Sequence, residues 1–292
     1  MSVQTGHPVH DEKKQAILDS TPDVRIVLRP IAPPAALGLA GFAGSTWITS
    51  SYIAAWWGNS ESPTIFFPFV GIFGGLAQFI AGLYGFQARD TLVTVVNTMW
   101  GSFWMAIGLL YAFVVRHAQS SPQPNVQKDP VADSISQAAG ALEPHEIHTH
   151  FPELASWFVV LAIFSWSCAL AATARDVTLT MCLTSLSIGS TIACCLFAYN
   201  GPTTDPLSAS GDGLSGGVRM GIKAASYFWM FAALCAWWRV TVYLVEEAYG
   251  PTHAITRFFP VGRTPIEKRA PLVIPGLGEP GVKRGVPKPL GI

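Results

Sequence analysis

The stretch PTIFFPFVGIFGGLAQFIAGLYGF, residues 63–86, contains no charged side chain. A helix needs about 20 mainly apolar residues to cross the hydrocarbon layer of a membrane, so this stretch is long enough to span it. The composition of the whole chain agrees, since 50% of its 292 residues are apolar and only 12% are charged. An ordinary soluble domain has about 25% charged residues. We therefore predict that the chain is an integral membrane protein.

The same search identifies five further spans. Four of them carry no Asp, Glu, Lys or Arg: residues 35–58, 91–115, 155–174 and 177–200. The last span, residues 220–245, has a lysine near its start and an arginine near its end, where long basic side chains reach the interface. The predicted fold is an all-α bundle of six transmembrane helices.

The basic residues outside the spans predict the orientation of the chain. Most of the lysines and arginines lie in the N-terminal tail, residues 1–34, and in the C-terminal tail, residues 250–292. Because cytoplasmic segments of membrane proteins carry an excess of Lys and Arg, both tails are predicted to be cytoplasmic. The six-helix domain between them, residues 35–249, includes a polar loop at residues 116–154. The formal net charge is zero, which gives no reason to expect a nucleic-acid partner.

Two amide side chains lie inside the spans, Gln78 in the second and Asn97 in the third. An amide is costly to bury against lipid without a hydrogen-bond partner, so both are expected to face the bundle interior. Two alternatives remain open for them, a hydrogen bond between helices and the lining of a solute path. Arg239, in the sixth span, is interpreted as snorkelling or as pairing with Glu246 or Glu247 rather than as a substrate ligand.

The spans contain no acidic residue. Proton pumps and cation carriers usually place Asp or Glu at membrane depth, so these classes are disfavoured. A narrow, uncharged path instead suits a small solute that crosses neutral or with little hydration. If a proton is co-transported, it is expected to travel on the substrate.

Catalytic and metal sites find no support in the sequence. The chain has no H-E-x-x-H motif and no histidine in any span, so no enzyme, cofactor or metal is predicted. The five cysteines all lie in apolar stretches and are expected to pack as small apolar side chains. His145, His148 and His150 in the polar loop are an alternative metal-binding set, although solvated side chains are favoured there.

Three blocks in the first half of the chain resemble a known family. PAALGLAGFAG at residues 34–44, GGLAQFIAGL at residues 74–83 and WGSFW at residues 100–104 are similar, in order and spacing, to signatures of the bacterial and fungal acetate transporter family. RFFPVG at residues 257–262 resembles the closing motif of that family. The length of the chain favours a fungal member. The chain departs from the family pattern at Pro33-Pro34-Ala35-Ala36, where an Asn-Pro-Ala-Pro motif is expected, and at Trp100, which stands in the place of a tyrosine.

The resemblance implies a homo-hexamer in the plasma membrane, in which each protomer carries its own path for acetate and similar small carboxylates. It also implies that the path narrows at an aromatic and aliphatic constriction. Phe42 matches the family's first-helix phenylalanine, Trp100 takes the position of its third-helix tyrosine, and Leu186 is loosely aligned with its leucine. No catalytic role or cofactor follows from the resemblance.

The function hypothesis is therefore a transporter or channel for acetate and related monocarboxylates, either passive or proton-linked. Gln78, Asn97 and Trp100 are expected to supply hydrogen-bond donors, and Phe42 with Leu186 an apolar gate. Two alternatives stay open. One is a channel for a small neutral solute such as ammonia, and the other is a non-conducting membrane sensor or scaffold with the same fold.

Overall fold

The computed structural model describes residues 31–59, 62–88, 90–120, 152–200, 216–250, 253–262 and 264–266. Within these ranges the regular structure is helical, and all the helices lie in one compact unit that begins at Ala32. Six long helices follow in chain order: α1 (Pro34–Ile53), α2 (Ser62–Gln87), α3 (Thr91–Ser120), α4 (Pro152–Ala172), α5 (Val177–Asn200) and α6 (Gly216–Tyr249). A short 3-10 turn, Ala254–Phe258, comes after α6. The predicted all-α bundle of six helices is confirmed.

Five of these helices, α2 to α6, are long and apolar enough to cross a membrane. Helix α1 has 20 residues, which corresponds to a length of about 30 Å, but it is richer in Gly, Ser and Thr. Most of its residues are buried among the other helices. Because its surface faces protein more than lipid, α1 does not need the hydropathy of the outer helices.

The helix ends differ from the predicted ones at several points. Helix α1 ends at Ile53 rather than at residue 58, and the chain turns at Ala55, which has a φ of 60°. Helices α3 and α4 both extend into the predicted loop 116–154, and α6 is longer than predicted at both ends. The predicted spans end at charged residues, because charge marks the limit of the lipid-facing segment. The helical backbone of α3, α4 and α6 continues past these residues.

Neighbouring helices pack in a ring. Helix α4 packs along α5, α5 along α6 and α6 along α1, while α2 packs against both α1 and α3. The ring closes where α3 meets α4, and this pair shares much less contact surface than the other neighbours. We call this contact the α3–α4 seam. Residues 121–151, which connect the two helices, lie outside the described part of the chain.

Helix α2 contains a π-helical segment, Gly71–Ala77. It follows Pro68, which has no N–H to donate and therefore interrupts the regular hydrogen-bond ladder. The segment lies very close to α1, because a Cβ added at Gly41 would come within 2.6 Å of the Phe73 carbonyl oxygen. Glycine is therefore required at position 41. Segments of π-helix are rare and often occur next to functional sites.

Two helices begin with the same capping arrangement. Residues 88–90 and 174–176 both read Ala-Arg-Asp and directly precede α3 and α5. The Asp90 carboxylate accepts a hydrogen bond from the Val93 N–H at 3.0 Å, and the Asp176 carboxylate accepts one from the Leu179 N–H at 2.8 Å. Aspartate at this position satisfies a free N–H of the first turn and complements the positive end of the helix dipole.

The first described residues after the 3-10 turn pack across the start of α5. Thr178 donates two hydrogen bonds to the Val261 carbonyl, from its N–H at 3.1 Å and from its hydroxyl at 2.9 Å. The Trp238 indole N–H donates to the Pro260 carbonyl at 2.9 Å. The beginning of the predicted C-terminal tail is thus attached to the bundle. Residues 1–30 and 267–292 lie outside the described residues.

Candidate functional site

The three residues predicted to form the constriction are all buried inside the bundle. The rings of Phe42 on α1 and Trp100 on α3 meet edge to face, with centroids 6.0 Å apart and planes at 75°. Leu186 on α5 lines the same cavity as Trp100. Phe42 is not part of the cavity lining, and its ring contacts Trp100, which is. The structure therefore brings the three residues into one region, and their role as a constriction stays a prediction.

Gln78 and Asn97 contact each other rather than the cavity. The Gln78 amide nitrogen donates to the Asn97 side-chain oxygen at 3.4 Å, and the Asn97 amide donates to the Val93 carbonyl at 2.9 Å. Both are buried, and neither lines the cavity. Asn97 lies against Gly38 of α1, where an added Cβ would be 2.2 Å from its oxygen. The hydrogen bond between α2 and α3 is present, while the Gln78 side-chain oxygen has no partner among the described residues, so a role of the two amides in a solute path stays a prediction.

A cavity of about 30 Å³ lies at the centre of the ring of helices. This volume is room for about two water molecules. All six helices contribute to its wall, which consists of Thr46, Thr49, Ser50, Ile53, Phe67, Trp100, Phe103, Trp104, Ile107, Leu154, Phe158, Leu186 and Trp229. The wall is mainly aromatic and aliphatic, with one hydroxyl-bearing stripe on α1.

Four polar groups in the cavity wall lack a hydrogen-bond partner among the described residues. They are the hydroxyls of Thr46 and Thr49 and the indole N–H groups of Trp104 and Trp229, and each of these residues is more than nine-tenths buried. A buried polar group without a partner costs about 1–3 kcal/mol, so natural proteins keep such groups where water or a ligand satisfies them. Ser45, Gln78, Ser190 and Arg239, which are not in the cavity wall, each also carry one buried side-chain polar atom without such a partner. The four groups in the wall are therefore a candidate set of contacts for a solute.

The indole N–H of Trp100 is already engaged. It donates to the hydroxyl oxygen of Ser165 on α4 at 3.2 Å. The expectation that Trp100 offers a donor to the solute therefore does not match the described geometry. The side chain instead presents its apolar ring to the cavity.

Two ion pairs connect the helix ends on the side of the bundle where α3 and α5 begin. Arg175 holds the Asp90 carboxylate with two hydrogen bonds, at 2.6 and 2.7 Å. Arg239 donates to the Asp176 carboxylate and, at 2.8 Å, to the Tyr243 hydroxyl. The sequence interpretation named the wrong carboxylate for Arg239, because Asp176 lies far from it in the chain.

Metal ligands do not come together in the described part of the chain. No group of three His, Cys, Asp or Glu side chains is arranged there to hold an ion. The five cysteines are free, and Cys182 donates its thiol to the Ala232 carbonyl. His145, His148 and His150, the alternative metal set, lie outside the described residues.

Sequence reasoning missed the residues that supply the polar groups of the cavity. Thr46 and Thr49 are three residues apart, so they share one face of α1, and this spacing was a usable signal. Trp104 lies inside the WGSFW block but was read only as part of the resemblance. Trp229 gives no signal in the sequence, because any of several tryptophans in the later spans satisfies the same pattern.

Comparison with known proteins identifies the family. Residues 21–257 match the GPR1/FUN34/yaaH family. The chain belongs to this family. It is the acetate transporter family that the blocks in the first three spans resemble, so that resemblance is confirmed.

A solved structure and a yeast protein are among the proteins that are similar to this chain. The structure of the bacterial acetate channel SatP superimposes with a TM-score of 0.53 at 19% identity, covering 80% of this chain and 99% of that chain. At this identity the likeness shows the shared fold. A protein of Saccharomyces cerevisiae named ammonia transport outward protein 2 is 34% identical over 85 residues, which are 27% of this chain and 28% of the yeast protein. The match therefore spans little more than a quarter of that relative.

Proposed function

We propose that this multi-pass membrane protein forms a path for acetate and related small monocarboxylates through the centre of its helix bundle. The observation that carries the proposal is a cavity walled by all six helices, whose lining residues Thr46, Thr49, Trp104 and Trp229 carry buried polar groups without a hydrogen-bond partner among the described residues. Membership of a family of membrane transporters and the fold shared with an acetate channel support it. No catalytic residue is proposed.

The chemistry of the four donors favours a carboxylate over other small solutes. An indole N–H donates and cannot accept, so Trp104 and Trp229 require an acceptor. A carboxylate has two oxygens and about four lone-pair sites, which matches two indoles and two hydroxyls in number. Hydrogen bonds to a charged acceptor are also stronger than those between neutral groups. The uncharged walls select against large hydrated ions.

The size of the cavity indicates that the described conformation is closed. Acetate has four heavy atoms and needs more room than the roughly two waters that fit the 30 Å³ cavity. Entry of the solute therefore requires side chains to move. We propose that the Phe42–Trp100 contact and Leu186 form the apolar gate, and that Gln78 and Asn97 hold the helices around it rather than bind solute.

Any proton that accompanies the solute is proposed to travel on it. No acidic residue lines the cavity. The two buried carboxylates near the bundle end, Asp90 and Asp176, are each held by an arginine and cap a helix, so they are poorly placed to relay protons. The carboxylic acid form carries its own proton across, and the carboxylate form uses the donors described above.

A second candidate is a path for ammonia, which the name of the yeast relative favours. Ammonia offers one lone pair and three N–H donors, so it satisfies one of the two tryptophan N–H groups and leaves the other without an acceptor. The four donors therefore fit a carboxylate better. Separate flux measurements for the two solutes decide between the candidates.

The proposal includes assembly and location. We propose a homo-oligomer, a hexamer by analogy with the family, in the plasma membrane with both tails in the cytoplasm. Large apolar side chains such as Ile65, Phe113 and Leu170 are exposed on the outer face of the protomer. Such side chains suit contact with lipid or with neighbouring protomers.

Uptake of labelled acetate into proteoliposomes tests the proposed function. The purified protein is compared with a Thr46→Val, Thr49→Val double variant, which keeps the shape and removes two donors. Thr241→Val is the matched control, because the Thr241 hydroxyl bonds the backbone of its own helix and is not in the cavity wall. Loss of two hydrogen bonds to the solute lowers uptake at least about tenfold, equivalent to about 1.4 kcal/mol.

Two outcomes contradict the proposal. One is uptake by the folded wild-type protein that does not exceed that of empty liposomes, and this result favours a non-conducting role. The other is a double variant that transports acetate as fast as the Thr241→Val control. Saturable uptake that falls in the double variant alone supports the proposal.

A further inference from the structure

We propose that Ser165 is a positioning residue that holds the Trp100 ring in place and so limits the size of the solute. This inference rests on the proposed function, because it concerns the same path. It assigns a role to a serine on α4 that lines no cavity itself.

The hydrogen bond between Trp100 and Ser165 is the basis of the inference. The Trp100 N–H donates to the Ser165 hydroxyl oxygen at 3.2 Å, and both side chains are buried, with exposures of 2% and 0%. The indole N–H is the one polar group of a tryptophan side chain. This bond therefore occupies the one hydrogen-bonding group of the Trp100 side chain, which lines the cavity.

The position of this hydrogen bond makes it important for the orientation of the Trp100 ring. It crosses the α3–α4 seam, where the helices share little contact surface compared with other neighbours. The other contacts described here across the seam include aromatic pairs, such as Trp100 with Phe164 and Phe103 with Phe158, at centroid distances of 6.2 and 5.8 Å. Edge contacts between rings tolerate rotation, whereas a hydrogen bond is directional. Ser165 is thus well placed to fix the orientation of the Trp100 ring.

Loss of the Ser165 hydroxyl changes the path in a defined way. The indole N–H is left buried without a partner next to a cavity whose wall includes Thr46 and Thr49. A buried donor without an acceptor is costly, so the Trp100 ring is expected to turn away from α4, toward the Thr46 and Thr49 hydroxyls or the solute. The contact with Phe42 then loosens. The opening admits a longer carboxylate, so the effect appears in the ratio of rates for long and short solutes.

Uptake of labelled butyrate and acetate in proteoliposomes, with the ratio of the two initial rates as the readout, tests this inference. Ser165→Ala is expected to raise the butyrate-to-acetate ratio about fivefold, equivalent to about 1 kcal/mol, the usual net value of one hydrogen bond. Ser165→Thr keeps the hydroxyl and is expected to restore the wild-type ratio. Ser167→Ala is the matched control, because Ser167 is exposed on the same helix and bonds only the Ile163 carbonyl.

The same Ser165→Ala change in a Trp100→Phe protein separates an effect on the Trp100 ring from a general structural effect. Phenylalanine has no N–H, so in a Trp100→Phe protein the Ser165→Ala change is expected to leave the ratio unaltered. A purely structural role of Ser165 alters the ratio equally in both backgrounds. If Ser165→Ala does not fold, Ser165→Cys replaces it, with similar volume and a weaker acceptor, and the expected rise is at least about twofold.

The outcomes distinguish failure of this inference from failure of the proposed function. A wild-type protein that transports acetate, with an unchanged ratio in Ser165→Ala, overturns the role of Ser165 and leaves the proposed function intact. An equal change in the wild-type and Trp100→Phe backgrounds also overturns it. A wild-type protein without acetate uptake overturns both.

Discussion

Gly189 on α5 provides a sensitive test of the packing around the cavity. A Cβ added there would lie 2.6 Å from the Trp229 indole nitrogen, 2.7 Å from its Cδ1 and 3.0 Å from the Ala225 carbonyl oxygen. Carbon atoms do not approach other heavy atoms so closely without displacement. The Ala225 carbonyl belongs to the helix backbone, so the Trp229 ring is the group that has to move.

The expected cost follows from two opposing effects. Overpacking of a buried site destabilises a protein by about 1–3 kcal/mol, while replacing glycine with alanine in a helix recovers up to about 1 kcal/mol. Gly189→Ala is therefore expected to lower the free energy of unfolding by about 1 kcal/mol. The displaced ring, which stacks on Phe158 at 5.7 Å, intrudes on a cavity with room for about two waters. Acetate uptake is expected to fall about tenfold.

Thermal denaturation of the detergent-solubilised protein and acetate uptake in proteoliposomes measure the two effects. Gly217→Ala on α6 is the matched control, because an added Cβ there meets nothing within 4 Å. The control is expected to have an unchanged or slightly higher Tm, with Gly189→Ala about 2–4 °C below the wild type. A Gly189→Ala protein with the Tm and uptake of the control would refute the packing described for Trp229.

A further prediction concerns the ion pair between Asp90 and Arg175. Asp90→Asn keeps a good helix cap but breaks the pair with Arg175, so a loss of about 1 kcal/mol is expected, moderated because the Arg175 side chain is 25% exposed. In a double-mutant cycle by thermal denaturation, adding Arg175→Gln should cost less in Asp90→Asn than in the wild type, and simple additivity would contradict the pair.

The helices could be predicted from the sequence because membrane spans are recognised by length and hydropathy. Residues 177–200 match α5, Val177–Asn200, from end to end. The end of α1 was predicted less well, since Trp56 and Trp57 are apolar but follow a turn. Hydropathy measures whether a residue tolerates lipid, and it does not measure whether its backbone is helical.

The candidate site could be predicted only in part. Phe42, Trp100 and Leu186 were located by resemblance, and the structure places them in one buried region. The partners of polar residues were not predictable, because Ser165 and Trp100 are far apart in sequence, as are Asp176 and Arg239. Such pairs depend on which helices become neighbours and on the rotation of each helix. A single sequence carries little information about either.

The roles of Gln78 and Asn97 show a related limit. Burial of two amides was correctly expected, but both a helix contact and a solute path satisfy the same requirement for a hydrogen-bond partner. The coordinates add that the two amides bond each other and are not in the cavity wall. Conversely, Thr46 and Thr49 were not identified from the sequence, and a hydroxyl in a helix is a weak signal because it usually bonds its own backbone.

Flux of acetate and ammonia, measured side by side with the same proteoliposomes, tests the central claim most directly. Labelled acetate reports one solute, and the alkalinisation of an internal pH dye reports the other. We expect saturable acetate uptake above that of empty liposomes. We expect ammonia to enter the proteoliposomes no faster than it enters empty liposomes. Accelerated ammonia entry without acetate uptake, from protein shown to be folded, would contradict this claim.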